Sequence, residues 1–238
     1  MRIELITDPD HLYGWDQLAD DVNQPRAGPA MIAAWARHMM DRDAELRVWF
    51  AIEGTQVVGV LPLVAESMPR GRERLLPPAA TFMYGSIPVA DPRREREIAA
   101  ALVGACTTAS TLVDVVGLDA MPPDSPWTDA FNNALSGPRW VAVDPIRHIS
   151  SYVDLKGGVE QWLGRRDSKF KREVRRRARI QEAEGFRLCS TSEPEEIVTR
   201  LPAVHSLYAQ RQQERGGAGY RFDETMIAAI REVLTRAP

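Results

Sequence analysis

The chemistry-bearing residues of this chain crowd into one basic stretch. Between Arg165 and Arg179 lie nine basic residues: Arg165, Arg166, Lys169, Lys171, Arg172, Arg175, Arg176, Arg177 and Arg179. Two acids, Asp167 and Glu173, sit among them, so the stretch carries +7 in a chain whose formal net charge is −3. Everything else therefore sums to −10. A concentration of charge like this sets up a local field that attracts anions. Three readings of it stand open. It is a solvated charged face, as charge runs commonly are, and the excess of arginine along the whole chain, 27 of 30 basic residues, favours that. It is a clamp for a phosphate, a CoA or a carboxylate, which planar guanidinium forks suit. Or it meets nucleic acid, which would bring a basic domain and interleaved aromatics; the sequence has neither.

Outside this stretch the candidates are single residues. His205 is the best acid/base candidate, because an imidazole near neutral pKa can shuttle a proton. Leu201, Val204 and Tyr208 surround it on one helix side, and a buried structural histidine is the competing reading. Tyr84 and Ser86 fall in a loop after a strand, where substrate contacts often occur, though an ordinary turn explains them too. Gln213, Gly216 and Ala218 form a glycine-bearing turn, but it follows a helix, and a helix C-terminus presents carbonyls, which repel phosphate. His11, His38 and His148 have no partners at metal spacing, and Cys106 and Cys189 give neither metal spacing nor a disulfide scaffold. No metal is expected. Nucleophile-elbow, zinc-protease, P-loop and Cys-x-x-Cys elements are all missing from the sequence.

Stepping the pattern through the chain places these residues on elements. Arg2–Ile6 alternates as a first or edge strand does. Asp8-Pro9-Asp10 predicts a helix to about Asp21, and a second helix follows Pro29 with Ile32, Trp35, Ala36 and Met39 on one side. Glu45–Glu53 and Gln56–Glu66 predict a hairpin across Glu53-Gly54-Thr55, and the doubly apolar VVGVLPLV run predicts a central strand. Asp91-Pro92 predicts a helix to about Ala109, Leu112–Leu118 a strand, Trp127–Leu135 a helix, and Trp140–Val143, His148–Leu155 and Phe186–Cys189 further strands. The basic stretch itself is helical. Trp162, Phe170, Val174 and Ala178 line one side, while Lys169, Arg172, Arg176 and Arg179 share another. Asp167 or Ser168 supplies its N-cap and Gly185 its stop. Pro202 predicts two short helices or a kink after Glu193-Pro194, and Asp223 caps a last helix to about Arg236. The alternation of helices and strands predicts an α/β fold with a mixed sheet.

The run SYVDLKGGVEQWLGRRDSKFKREVRRRARIQEAEGFRL, followed by HSLYAQRQQERGG, resembles the central part of CelD-type acetyltransferases. These are relatives of the FemAB peptidyltransferases within the GNAT superfamily. The likeness spans about seventy residues, and the strand pair ending in VVGVLPLV is a second, separate piece of it. It places the family's helix opening of the form Ser-x-x-(Lys/Arg)-Arg at Ser168, its histidine at His205, and its arginines at Arg211 and Arg215. The resemblance implies a GNAT-like mixed β-sheet flanked by helices over residues 1–150. It implies the start of a second GNAT-like domain over 151–238, whose central strands and late Tyr-Lys-type motif would lie beyond residue 238. It further implies acyl-CoA as cosubstrate and an amine or hydroxyl acceptor on a small-molecule or cell-envelope substrate. Lys171, Arg172, Arg175 and Arg176 would bind an anion between the two halves, with His205 and Arg211 lining the same cleft. If the later GNAT-like domain is the catalytic one, the alternative for this chain is a non-catalytic module that binds an anionic partner through the basic helix.

At 238 residues, 44% apolar and 26% charged, the composition is that of a globular protein with a sizeable core. Residues 1–10 contain Glu4, Asp8 and Asp10 and no apolar signal region. No apolar run approaches the roughly 20 residues that span a bilayer. The expected location is the cytoplasm.

Overall fold

The computed structural model describes residues 1–22, 28–78, 88–109, 113–117, 121, 124–137, 140–141, 155–187, 190–214 and 223–236. By its contacts the chain divides into two compact units, Met1–Val143 with Ile197–Pro238, and Asp144–Glu196. The first is a mixed α/β unit: a mixed sheet with helices on its faces.

Strand β1 (Arg2–Ile6) lies at the edge of the sheet, antiparallel to β2 (Ala44–Glu53). The hairpin partner β3 (Gln56–Met68) turns back at Gly54, whose φ of +59° is the left-handed conformation a tight turn asks for. The β3 strand is buried over Val58–Ala65, as its doubly apolar sequence predicts. It serves two partners on its far side. Gly59 and Val60 pair with β5 (Val89–Ala90), and Val64–Met68 pair with β4 (Arg72–Leu76). Pro62, with no N–H to give a ladder, falls between these two stretches. Strand β6 (Val113–Val116) then joins β4 in parallel, which makes the sheet mixed.

Period-two alternation sorts the hairpin side chains onto two faces. Leu46, Val48 and Phe50 face one core with Trp15 and Ile32, from the side of helices α1 (Asp16–Asp21) and α2 (Pro29–His38). Trp49, Ala51, Leu61 and Leu63 face the other core, under helices α3 (Glu95–Ala109) and α4 (Pro126–Ala134). A register shift between Ala51 and Ile52 brings Val58 into the second core while Val60 stays in the first. This bulge lets one strand feed both faces. Cys106 lies in the α3 core, 1% exposed, and burial pushes its thiol up to about 12. In a Cys189→Ser variant the native protein should resist a thiol reagent at neutral pH and take up one equivalent only in denaturant, read by absorbance. Rapid native labelling would contradict this burial.

The remaining elements are α5 (Gly158–Gly164), α6 (Ser168–Ala183), α7 (Pro194–Glu214) and α8 (Glu224–Arg236). Helix α8 starts where Asp223 predicts it: Oδ1 accepts the Met226 N–H at 3.2 Å. It packs on α2 through Met226 and Ile230 against Met31, Trp35 and Met39. Glu232 ties the same pair of helices, accepting from Arg37 and contacting His38 Nε2 at 2.8 Å. Arg37 also reaches Asp10 and the Pro9 carbonyl.

Two expected elements differ. The single helix from Asp8 is a 3-10 turn at Pro9–His11, capped by Asp8, and then the separate helix α1. Gly14, at φ +86°, divides them. Helix α7 runs through Pro202 as one 21-residue element, so of the two outcomes expected there, two short helices or a kink, the first does not hold. A proline removes the bond its own nitrogen would have made and crowds the carbonyl four residues back, yet the helix continues on either side of it here. Trp140 and Val141 are not in a strand, nor are Phe186 and Arg187. The other residues of those expected strands, and most of His148–Leu155, lie outside the described residues.

Candidate functional site

Helices α5 and α6 form a hairpin in the second unit, and the sequence dictates each of its joints. Gly157 is the N-cap of α5, and Gly158, at φ +80°, is its first residue. Asp167 caps α6, accepting the Phe170 N–H at 2.8 Å. Trp162 meets Phe170 edge to face, with ring centroids 5.8 Å apart, and the Arg166 guanidinium lies 4.8 Å above the Trp162 ring. Phe170, with Lys171 and Arg175 beside it, thus marks the side of α6 turned to α5.

The basic residues divide into held and unheld. Lys171 Nζ donates to the Gly164 carbonyl at 2.9 Å, setting a cation at the negative end of α5. Arg175 reaches Glu160 at 3.4 Å. Arg176 and Arg177 both donate to Glu173, and these hydrogen bonds, Arg176's first, hold that carboxyl down at about 2. Arg179 Nε touches only the Arg175 carbonyl, at 3.3 Å. Arg165, Lys169 and Arg172 have no carboxylate partner among the described residues. Of the four residues assigned to anion binding, Arg172 alone is uncommitted; Lys171, Arg175 and Arg176 each make a contact within the hairpin.

His205 and Arg211 lie on α7. His205 is half-buried, its Nδ1 3.9 Å from Glu224 Oε1. Arg211 is exposed. Six residues apart on one helix, the two project about 120° from each other, so α7 alone does not aim them at one point. Tyr84, Ser86, Arg215, Gly216 and Ala218 lie outside the described residues; Gln213 is on the last turn of α7.

A second junction matters because it runs from strand to helix, the setting in which backbone N–H groups bind phosphate. It joins β5 to α3 and reads Asp91-Pro92-Arg93-Arg94. Asp91 Oδ1 accepts the Arg93 N–H at 3.0 Å, and its carbonyl accepts that of Arg94 at 3.0 Å. Pro92 has no N–H. Arg94 forks onto Glu97 and reaches Glu53 at 2.7 Å, which raises its pKa. The turn is glycine-free, and its Arg93 N–H is already taken by the Asp91 carboxylate. Beside it opens a cleft of about 550 Å³ lined by Gly14, Gln17, Asp21, Gln56, Asp91 and Arg93, among others. Sequence reasoning missed this cleft. Its one local signal is Gly14, which ends the first turn and lets α1 stand off.

Among the described residues no group of three His, Cys, Asp or Glu could hold a metal, and no helix is long and apolar enough to cross a membrane.

Comparison with known proteins gives three kinds of result. No family model matches the chain. No curated protein matches it. Solved structures do. An aminoglycoside acetyltransferase, meta-AAC0020, from an uncultured soil metagenomic sample and in complex with sisomicin, is 14% identical with a TM-score of 0.41 over 64% of this chain and 96% of its own. A ribosomal-protein-alanine N-acetyltransferase from Brucella melitensis biovar Abortus 2308 is 16% identical, TM-score 0.39, over 64% and 100%. A second soil aminoglycoside acetyltransferase, HMB0005, is 17% identical, TM-score 0.40, over 65% and 100%.

Proposed function

We propose that the chain belongs to a CoA-dependent acyltransferase of the CelD/FemAB-like branch of the GNAT superfamily. It would pass an acetyl or other acyl group to an amine or hydroxyl on a small-molecule or cell-envelope acceptor, in the cytoplasm. The observation that supports this reading is the order β1–α1–α2–β2–β3, the order in which a GNAT domain begins, followed by a parallel strand pair, β4 and β6. Fold alone does not fix an activity, so the roles come from the resemblance. On this reading residues 1–150 would be the N-terminal GNAT-like lobe and 151–238 the opening of a second, although by its contacts Ile197–Pro238 is part of the first unit and α8 packs on α2 there.

In this chemistry the acceptor nitrogen or oxygen attacks the thioester carbonyl. A C–N or C–O bond forms, the C–S bond breaks, and CoA leaves as the thiolate. The acceptor's proton goes to a base, for which His205 is the candidate, with Glu224 steadying the charged imidazole. Lys171, Arg172, Arg175, Arg176 and Arg211 are assigned to the anionic parts of the substrates, and Tyr84 and Ser86 to the acceptor. The protein's main contribution would be to orient the two groups and polarise the carbonyl.

The test is a thermal-shift titration with acetyl-CoA. Ligand at about 100 times its Kd adds roughly 2.7 kcal/mol, so Tm should rise by about 5 °C or more for a chain of this size. No shift at millimolar acetyl-CoA would sink the reading.

A specific observation favours a second reading, a non-catalytic module binding an anionic partner through α6. The junction before α3 is glycine-free and its Arg93 N–H is already taken by Asp91, while α6 keeps cations with no carboxylate partner among the described residues. A normal thermal transition unmoved by acetyl-CoA, together with retention on a polyanionic resin that falls steeply with salt, would single out this reading.

A further inference from the structure

The uncommitted cations of α6 share a face. Lys169, Arg172 and Arg179 recur at i, i+3 and i+10, with Arg176 between them, along about 15 Å of helix. That face is turned roughly opposite to Phe170 and Val174, the side that meets α5 through Trp162. Lys169, Arg172, Arg176 and Arg179 are all exposed, and no residue of the helix is fully buried. On the convex surface of a helix these cations diverge. A small anion needs a concavity with converging donors, and this face converges on nothing.

The C-terminal end of the helix adds apolar surface. Gly185 and Phe186 close α6 with paired bonds, Gly185 N–H to the Glu182 carbonyl at 3.0 Å and Phe186 N–H to the Gln181 carbonyl at 2.9 Å. In this cap the residue after the glycine often packs on an apolar side chain at the third or fourth place inside the helix end. Those places are Gln181 and Ile180 here, and Phe186, fixed in backbone, is still 69% exposed. Ile180, one turn on from Arg176 along the helix surface, is 41% exposed.

We propose that this face docks on an anionic bilayer surface, with Lys169, Arg172 and Arg179 meeting lipid phosphates and Ile180 and Phe186 entering the headgroup boundary. A straight row of cations next to pinned apolar side chains suits a flat, charged, partly apolar surface. Nucleic acid would use the cations and leave Ile180 without a role. The proposal deepens the second reading above, names its partner class, and is independent of acyl transfer. Arg172 is the residue on which it and the first reading compete.

The experiment is co-sedimentation of the full chain with vesicles of phosphatidylcholine alone and of phosphatidylcholine with phosphatidylglycerol. Binding should require phosphatidylglycerol and weaken with salt. The triple variant Lys169→Gln, Arg172→Gln, Arg179→Gln should lose roughly 100-fold in partitioning. Lys169→Arg, Arg172→Lys, Arg179→Lys should keep it, which separates charge from folding. Phe186→Ser should lose roughly 10-fold, and this loss should persist in high salt. The proposal is overturned if phosphatidylglycerol makes no difference, or if neither the triple Gln variant nor Phe186→Ser changes partitioning. A single-stranded oligothymidylate serves as the second arm. If it binds and vesicles do not, the bilayer proposal falls while the anionic-partner reading stands; if neither binds, both fall.

Discussion

Gly59→Val should destabilise the first unit by on the order of 3 kcal/mol and lower its thermal midpoint by several degrees, the largest loss expected from adding atoms anywhere in the sheet. Gly59 is the middle of a row of small residues that crosses three strands. In register it stands opposite Ala51 on β2 and opposite Ala90 on β5. Ala51 and Ala90 are buried at 0% and 3% exposure, under Ile98 and Leu102 of α3. A Cβ at Gly59 would collide with Ile98 Cγ2, and would come within 3.3 Å of Leu102 Cδ1 and 3.5 Å of the Ala51 Cβ. Ile98 cannot give way cheaply, because a β-branched side chain in a helix has one strongly preferred χ1. The helix must therefore lift, and the α3 core would open along its length. A denaturant melt followed by tryptophan fluorescence measures the loss. The double variant Gly59→Val, Ile98→Ala should recover part of it, since the collision is removed while a smaller cavity is made. Full stability in Gly59→Val would mean that α3 does not approach β3 as described.

That row shows where sequence reading stops. The hairpin of β2 and β3 was legible, because alternation and the Glu53-Gly54-Thr55 turn are local signals. So was α6, whose caps at Asp167 and Gly185 lie where the residue types put them. The meeting of Ala51, Gly59 and Ala90 was not, since it depends on a register between segments thirty residues apart and on a bulge at Ala51. The break at Gly14 was missed for a different reason. Glycine is compatible with a continuing helix, and only its φ of +86° reveals the stop.

The candidate site was legible in part by the same rule. The pairing of Glu173 with Arg176 and Arg177 follows from i, i+3 and i, i+4 spacing and could have been read directly. The commitments of Lys171 and Arg175 could not, because Gly164 and Glu160 belong to the neighbouring helix. The sequence therefore marked a basic segment correctly as a helix, but did not say which of its cations are already occupied. The answer moves attention from Lys171, Arg175 and Arg176 to Arg172, together with Lys169 and Arg179, which the first assignment left aside.

Trp127→Ala should cost about 3–5 kcal/mol, whereas Trp127→Phe should cost far less. Trp127 is the largest side chain of α4 and is 1% exposed, in the core that Phe131, Leu102 and Val103 share. Its backbone is set by Ser125, whose hydroxyl accepts the Trp127 N–H at 3.2 Å and so places the ring on the first turn, facing α3. Truncation to alanine removes nearly all of a buried aromatic and leaves a cavity that α3 and α4, held in place by the sheet, fill only in part. The indole Nε1 is a different matter. It is buried without a hydrogen-bond partner among the described residues. An unpaired buried donor costs roughly 1–3 kcal/mol, so phenylalanine removes that penalty while keeping most of the ring contact. The two terms oppose each other, and the phenylalanine variant should fall within about 1.5 kcal/mol of the parent. Equilibrium urea unfolding of both variants decides it. If Trp127→Phe proves as damaging as Trp127→Ala, the indole nitrogen has a partner that stabilises it, and the packing between α3 and α4 is organised around a polar contact instead of around the ring.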